Sequence, residues 1–315
     1  MPLTFGMSLY PFDRYRTPES LVDTAVLAEE LGFESVTIGE HVILPKEAEG
    51  TLPRNNFDSF VLGAMLAART TSLKIFFSIL VVPYYNPVRL AKAIATLDFM
   101  SGGRVLIGVG AGWLQREFDI LGADYHKRGA VLDESLRVMK ELWTSPNPSY
   151  DGQWTSFHDV IFEPRPAQRP HPPIWVGGWG RHAIRRAVEL GDGMYPSNAG
   201  PLELMIADKD KVTQMLADTG RADDSFAFGH AIDYVSQAEF PHLAKAISGP
   251  SARERVPLVF GFDPLPVLDH LSRAAEAGFS HIGVRLPGAD HHELSDSMKR
   301  FHDEVMKPFR ETCLW

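Results

Sequence analysis

The stretch Arg104–Phe118, Arg-Val-Leu-Ile-Gly-Val-Gly-Ala-Gly-Trp-Leu-Gln-Arg-Glu-Phe, decides the fold. Its apolar part, 105–109, predicts a buried strand, and Gly108, Gly110 and Gly112 alternate with other residues before a helix-like segment. Such glycines allow a backbone or a flat ligand to approach, and the N–H groups that open a helix favour an anion. Tight packing alone explains them equally well. The G-x-G-x-G spacing differs from the G-x-G-x-x-G of dinucleotide-binding folds.

The composition excludes several classes of protein. With 315 residues, 44% hydrophobic, the chain is long enough for one large domain or two ordinary ones. A net charge of -9 and a pI near 5.7 argue against nucleic-acid or anionic-membrane partners, which need excess Lys and Arg. A single cysteine, Cys313, excludes an intramolecular disulfide. Without a signal-peptide layout or a long apolar run, we expect a cytoplasmic protein.

Strand-like and helix-like segments alternate along the chain. The eight strand-like segments are 3–9, 35–38, 73–82, 105–109, 174–176, 193–195, 226–235 and 281–285. Three helix-to-strand joins contain a glycine, Gly32, Gly191 or Gly278, which we predict to be the left-handed residue that ends each helix. Between 145 and 173 the periodicity gives way to aromatic residues, prolines and glycines, which indicates an insertion.

This order predicts an α/β fold, a (β/α)8 TIM barrel, as a single domain over residues 1–315 with an insertion at about 145–173 between strands four and five. A doubly wound sheet would also alternate strands and helices. The count of eight strands and the chain length favour closure into a barrel. Active sites of such barrels lie at the carboxyl ends of the strands.

The strand-end rule selects five short segments. They are Glu40-His41, 79–83, 110–113, 177–180 and Ser197-Asn198. His41 is the candidate for proton chemistry, because a histidine beside a carboxylate can titrate near neutral pH or hold one ring tautomer. The alternative is a structural histidine, as histidines more often are.

The fifth strand runs into glycines and then a helix that starts at Arg181, with Arg185 and Arg186 one turn later. Backbone amides, the helix dipole and guanidinium groups could converge there on a phosphate. A tight turn with solvated arginines is the other interpretation. No metal site is predicted, since Cys-x-x-Cys and His-Glu-x-x-His are absent, and neither Gly-x-Ser-x-Gly nor a Walker A sequence occurs.

Several of these residues form an ordered set. It consists of Gly39-Glu40-His41, Leu80-Val81-Val82-Pro83 with Asn86-Pro87, Leu97-Asp98 with Ser101-Gly102-Gly103-Arg104, Gly108-Val109-Gly110-Ala111-Gly112-Trp113 with Glu117-Phe118, Phe162-Glu163-Pro164-Arg165-Pro166 and Pro173-Ile174-Trp175-Val176-Gly177-Gly178. The set, which covers the chain to about Asn198, resembles the luciferase-like oxidoreductases. More narrowly, it is similar to the actinobacterial branch that depends on the deazaflavin coenzyme F420.

The resemblance implies a TIM-type barrel, a homodimer, and a flavin or deazaflavin ring at the strand ends. It also implies a non-proline cis peptide in the third strand, at Ile79-Leu80 to within one residue, and catalytic roles for His41 and Glu40. The residues that it implies for the cofactor are Ile79, Leu80, Val81, Gly110, Ala111, Gly112, Trp113, Gly177, Gly178, Trp179, Gly180, Arg181 and Ser197.

Three positions qualify the resemblance. Glu40 stands where several relatives have aspartate, and Trp113 stands where the sugar-phosphate dehydrogenases have a glutamate, which disfavours glucose 6-phosphate as substrate. Arg128 matches a helix-start arginine that could contact phosphate or pair with Glu134 or Asp133.

The resemblance leaves the cofactor open between F420 and FMN. The F420 tail should prefer a basic exit, and arginines concentrate near the insertion and the fifth strand: Arg165, Arg169, Arg181, Arg185 and Arg186. We therefore favour an oxidoreductase that transfers a hydride between F420 and a small organic substrate. The alternatives are an FMN-dependent monooxygenase with a separate reductase and a non-catalytic flavin-binding barrel. Apolar residues in the loops, Phe57, Trp154 and Phe157, favour a substrate less polar than a sugar phosphate.

Overall fold

The computed structural model describes residues 2–50, 52–178, 180–196, 200–235 and 258–312. In this part of the chain, eight parallel strands close into a barrel, because Gly193 and Met194 pair with Ala227 and Phe228. The barrel strands, in spatial order, are β1 (Thr4–Ser8), β2 (Ser35–Ile38), β3 (Lys74–Val81), β4 (Val105–Gly110), β7 (Ile174–Val176), β8 (Gly193–Met194), β9 (Ala227–Tyr234) and β11 (His281–Arg285). The predicted (β/α)8 barrel and its eight strand positions are confirmed.

Helices surround the barrel. They are α1 (Pro18–Glu30), α2 (Ser59–Arg69), α3 (Pro87–Ser101), α4 (Gln115–Leu121), α5 (Arg128–Thr144), α6 (Arg181–Leu190), α7 (Leu202–Asp218), α8 (Pro264–Glu276), α9 (His291–Phe301) and α10 (Lys307–Thr312). Side-chain caps fix several starts: Thr17 accepts from the Ser20 amide, and Asp58 and Asn86 cap α2 and α3. None of the described helices is both long and apolar enough to span a bilayer.

Two cores stabilise the barrel. The larger lies between strands and helices, and the smaller fills the barrel interior with Phe76, Leu106, Trp175, Tyr195 and Ala231. Glycines on the inner face make room for these rings, since an added Cβ at Gly283 would lie 1.8 Å from the Tyr195 hydroxyl oxygen. The interior is therefore a packed layer, and a ligand has space only above it, at the strand ends.

The three glycine joins do not share one conformation. Gly32 and Gly278 have φ values of +76° and +83°, as predicted for left-handed helix ends. The prediction is wrong for Gly191, whose φ is -100°. An added Cβ at Gly191 would lie 3.0 Å from the Ala187 carbonyl oxygen and 3.1 Å from Val176 Cγ2. Close packing, rather than backbone conformation, requires glycine at this join.

The insertion contains a two-stranded hairpin of β5 (Tyr150–Asp151) and β6 (Ser156–Phe157), and β10 (Leu258–Phe260) adds to β9 outside the barrel. Buried Glu134 of α5 accepts hydrogen bonds from the amides of Gln153, Trp154 and Thr155 at 2.8, 2.9 and 2.8 Å. The hairpin is thereby tied to α5. Arg128 does not pair with Glu134 or Asp133; it donates to the carbonyls of Gly112 and Tyr125.

Candidate active site

A bulge at the end of β3 shapes one side of the barrel mouth. The β3–β4 register shifts between Phe77 and Leu80, and the Ser78-Ile79 peptide is cis, one residue before the predicted bond and within its margin. Ile79 is half-buried, and added Cβ atoms at Gly110 and Gly177 would lie 2.8 and 2.6 Å from its side chain. These two glycines therefore accommodate the Ile79 side chain.

The ends of β3 and β4 form one continuous wall. An added Cβ at Gly112 would lie 2.6 Å from Val81 Cγ1, and Leu80 is fully buried behind them. Ala111 is half-buried and Gly178 is exposed. Trp113 is 57% exposed, and its ring meets that of His41 edge to face, with centroids 6.2 Å apart. The fold thus gathers most of the predicted cofactor residues around Ile79. Trp179 and Ser197 lie outside the described residues.

His41, just beyond β2, is held by a carboxylate from another element. Its Nδ1 lies 3.0 Å from Oε2 of Glu117 on α4, whose side chain is 1% exposed. A carboxylate at Nδ1 favours the tautomer that carries its proton there. In the described part of the chain, no group hydrogen-bonds to Nε2 of His41, so this nitrogen can serve a ligand.

Glu117 accepts three further hydrogen bonds. The donors are the amides of Val42 at 2.6 Å and Ile43 at 3.1 Å and the Tyr84 hydroxyl at 3.0 Å. Burial raises the pKa of Glu117, but the hydrogen bonds from His41 and the two amides outweigh it, so the net pKa is lowered. Glu117 is therefore a fixed anion. The sequence contained it only as part of a family motif and did not predict its contact with His41.

Glu40 contacts β3 and not His41. It accepts a hydrogen bond of 2.6 Å from the Val81 amide and another from the Tyr85 hydroxyl. Removal from water raises the pKa of Glu40 to about 7, with a contribution from the Glu117 charge, although its two hydrogen bonds act in the opposite direction. Glu117, and not Glu40, is therefore the carboxylate that contacts His41. The pKa of Glu117 is lowered and that of Glu40 is raised, an arrangement typical of sites that divide acid and base roles.

The start of α6 is the second predicted anion site. Gly180 provides no side-chain cap, and among the described residues no side chain accepts from the first amides of α6; Arg181 is exposed beside them. Arg185 and Arg186 do not converge on this point. They pair with Asp133, and Arg185 also pairs with Glu189 at 2.7 Å. The phosphate prediction therefore retains only Arg181.

The other arginines of the predicted basic exit are also engaged. Arg165 pairs with Glu163 at 3.4 Å, and Arg169 donates to the Pro166 carbonyl. Trp154 and Phe157 line a separate cavity of about 440 Å³ beside α3, α5 and the insertion. No group of three or more metal-ligating side chains occurs within the described ranges.

The β9–β11 side of the mouth carries an ion pair that the sequence did not indicate. Arg285, the last residue of β11, contacts Asp233 of β9 through Nε and Nη2, both at 2.5 Å. Asp233 is fully buried, and the Arg285 side chain is 20% exposed. Each residue lies near the end of a predicted strand, but their contact can be predicted only when β9 and β11 are known to pair in this register.

Comparisons with known proteins agree with this architecture. The model of the family described as luciferase-like monooxygenase matches residues 5–240. An F420-dependent glucose-6-phosphate dehydrogenase of Nocardia farcinica is 28% identical over 90% of this chain and 92% of its own. An FMNH2-dependent dimethylsulfone monooxygenase of Pseudomonas putida is 34% identical over 53% of this chain and 47% of its own.

A solved F420-dependent secondary alcohol dehydrogenase, in complex with an F420-acetone adduct, superposes with a TM-score of 0.76 and 20% identity, covering 97% of this chain and 99% of its own. At this identity the structure supports the fold alone, whereas the family model spans most of the chain. The chain therefore belongs to the luciferase-like monooxygenase family and is an oxidoreductase.

Proposed function

We propose that the protein transfers a hydride between F420 and a small organic substrate at the barrel mouth. The observation that carries the proposal is His41, held through Nδ1 by the buried anion Glu117 with Nε2 open to a ligand. A fixed imidazole beside an apolar bulge suits proton transfer next to a flat ring. Relatives named as F420-dependent dehydrogenases support this choice of cofactor.

The residues present fit such a cofactor. Half-buried Ile79 offers an apolar surface, and the bare backbone of 110–112 and 177–178 beside it allows close approach of a ring. The open amides of α6 with Arg181 would hold a phosphate. When bound, the deazaflavin supplies a ring carbon that accepts or donates the hydride.

The side chains around the ring have separate roles. His41 Nε2 takes the proton of a substrate hydroxyl during oxidation and returns it to the oxygen in the reverse direction. The Glu117 charge stabilises the imidazolium that forms and keeps the ring oriented. Glu40 is a positioning residue, because its hydrogen bonds from Val81 and Tyr85 hold the end of β3.

An FMN-dependent monooxygenase that works with a separate reductase is the second candidate, and the dimethylsulfone monooxygenase favours it. The deazaflavin carbon does not readily activate oxygen, so the two candidates differ in product as well as cofactor. With four of the five arginines engaged, the basic-exit argument no longer favours F420.

Fluorescence titration of purified apoprotein with F420 and with FMN separates the two candidates. We expect tight F420 binding; tight FMN binding without F420 binding would overturn the cofactor assignment. A His41→Ala variant should bind F420 as the wild type does and lose turnover. Unchanged turnover in this variant would contradict the role of His41.

The family resemblance also motivates the proposal of a homodimer. Exposed apolar side chains on outer helices, Val61 of α2 and Phe99 and Met100 of α3, offer surface that a second copy would cover. Light scattering is expected to give twice the mass of the 35.0 kDa chain. A monomer at micromolar concentration contradicts this proposal without affecting the proposed chemistry.

A further inference from the structure

The Arg285–Asp233 pair borders the mouth at β9 and β11, and β11 lies two strands from β2, the strand that precedes His41. Asp233 and Arg285 are direct neighbours in the β9–β11 register, and β1 lies between β11 and β2. Two interstrand steps separate β11 from β2, which is a distance of about 10 Å. Because Arg285 ends β11 and His41 follows β2, both residues lie at the carboxyl-end rim of the barrel, where the proposed function places the substrate.

The geometry of the pair determines what Arg285 can bind. Asp233 occupies one edge of the guanidinium through Nε and Nη2, and Asp233 is itself fully buried. A free guanidinium at this place would be a bidentate site for a phosphate or carboxylate. With Asp233 in place, an arriving anion meets a carboxylate next to the arginine, and the pair carries no net charge.

One edge of the guanidinium is still available. Within the described residues, Nη1 of Arg285 makes no hydrogen bond, and a fifth of the side chain, 20%, is exposed. Three N–H groups of Arg285 remain, two on Nη1 and one on Nη2, and because Asp233 already neutralises the cation, they match an uncharged oxygen of a hydroxyl, carbonyl or ether group better than an anion.

We propose that Asp233 is a specificity-determining residue. By neutralising Arg285 it prevents this arginine from binding anions, so that the substrate contacts the β9–β11 wall with an uncharged oxygen. This inference rests on the proposed function, because it takes the barrel mouth as the substrate site. It narrows the small organic substrate to a neutral, oxygen-bearing molecule. Phosphorylated and carboxylated substrates are excluded from this wall.

Calorimetric titration of the apoprotein with inorganic phosphate tests whether Asp233 excludes anions from Arg285, and the test does not depend on F420. In Asp233→Asn, the amide retains an oxygen for the guanidinium but loses the charge, and we expect phosphate to bind at least about tenfold more tightly than in the wild type. The double variant Asp233→Asn with Arg285→Met should return to the wild-type affinity. This control removes contributions from other anion sites, including the start of α6.

Two results would overturn the proposal. One is Asp233→Asn with unchanged phosphate affinity, or with a gain that persists in the double variant. The other needs no single variant: if the wild type binds phosphate about tenfold more tightly than the double variant, the intact pair already accepts anions. Neither outcome changes the result of the F420 titration, so failure of the proposed role of Asp233 can be distinguished from failure of the proposed function.

Discussion

Two walls of the barrel mouth each contain a basic side chain that hydrogen-bonds to a buried carboxylate, but the two pairs leave different groups available to a ligand. On the β2 side, Glu117 holds His41 through one ring nitrogen and leaves the other for a ligand. On the β9–β11 side, Asp233 occupies two nitrogens of Arg285. Histidine can change its charge near neutral pH, whereas arginine cannot.

The difference indicates a division of labour. The His41–Glu117 wall combines an ionised carboxylate with a second one, Glu40, whose pKa is about 7, so it can take up and release protons. The Arg285 guanidinium keeps its charge across the physiological pH range, because burial acts to lower its pKa but Asp233 beside it raises the pKa overall. We infer that the first wall serves the reaction and the second recognises the substrate.

Removal of Glu117 should break the first wall and have the largest effect. Glu117→Ala leaves the His41 ring, two amides and the Tyr84 hydroxyl without their acceptor. We expect the free energy of unfolding to fall by about 3 kcal/mol and turnover to fall at least about 100-fold. Urea denaturation and steady-state kinetics measure the two effects. Glu117→Gln, which retains an acceptor, should lose less stability; a loss below about 1 kcal/mol in the alanine variant would contradict the role.

Removal of one partner should also break the second wall. Arg285→Met leaves the fully buried Asp233 carboxylate unpaired, and we expect the free energy of unfolding to fall by about 3 kcal/mol. Adding Asp233→Leu should bring it back to within about 1 kcal/mol of the wild type, because no charge then remains buried. Urea denaturation of the three proteins gives the comparison. A double variant as unstable as the single one would mean that the pair itself is needed for the fold.

Acid should weaken the β9–β11 wall through its buried histidines. His230 and His270 share a hydrogen bond of 2.8 Å between their Nε2 atoms, and burial lowers the pKa of His270 to about 4 and that of His281 to about 3. The unfolded chain binds these protons at a higher pH than the folded protein does. The stability that the neutral histidines contribute is therefore fully present above pH 6.5 and decreases as the pH falls below it. Each histidine should cost about 1.4 kcal/mol per pH unit.

The measurement is the free energy of unfolding at pH 7 and pH 5.5, in the wild type and in His281→Gln. The variant lacks one titrating group inside the barrel, so its loss between the two pH values should be smaller by about 1.4 kcal/mol. Equal losses in both proteins would show that His281 does not carry this pH dependence.

The smallest expected effect is the pH dependence of cofactor affinity that arises from Glu40, which lies beside the His41–Glu117 wall. Because its folded pKa is raised to about 7, the stabilisation from its protonated form is present below pH 4.5 and lost as the pH rises through 7. Cofactor affinity should therefore change about threefold between pH 6 and pH 8, since Glu40 supports the bulge. Glu40→Gln should flatten this profile in a fluorescence titration. A profile unchanged by the substitution would separate Glu40 from the cofactor site.

Local sequence signals predicted the elements but not their partners. The alternation of apolar segments placed all eight barrel strands, and Thr17 caps its helix as expected. The arginine prediction failed because Asp133, 52 residues before Arg185 in the chain, reaches the same helix only after folding. Glu117 and His41 are 76 residues apart and meet for the same reason.

The sequence by itself determined the barrel, its mouth and the family, because strand and helix periodicities and ordered motifs are local properties of the chain. Only the tertiary structure decided what Gly110 and Gly177 are for, which carboxylate serves His41, and that Arg285 is neutralised. Each of these depends on a contact between residues that are far apart in the sequence and meet only when the parallel strands pair side by side.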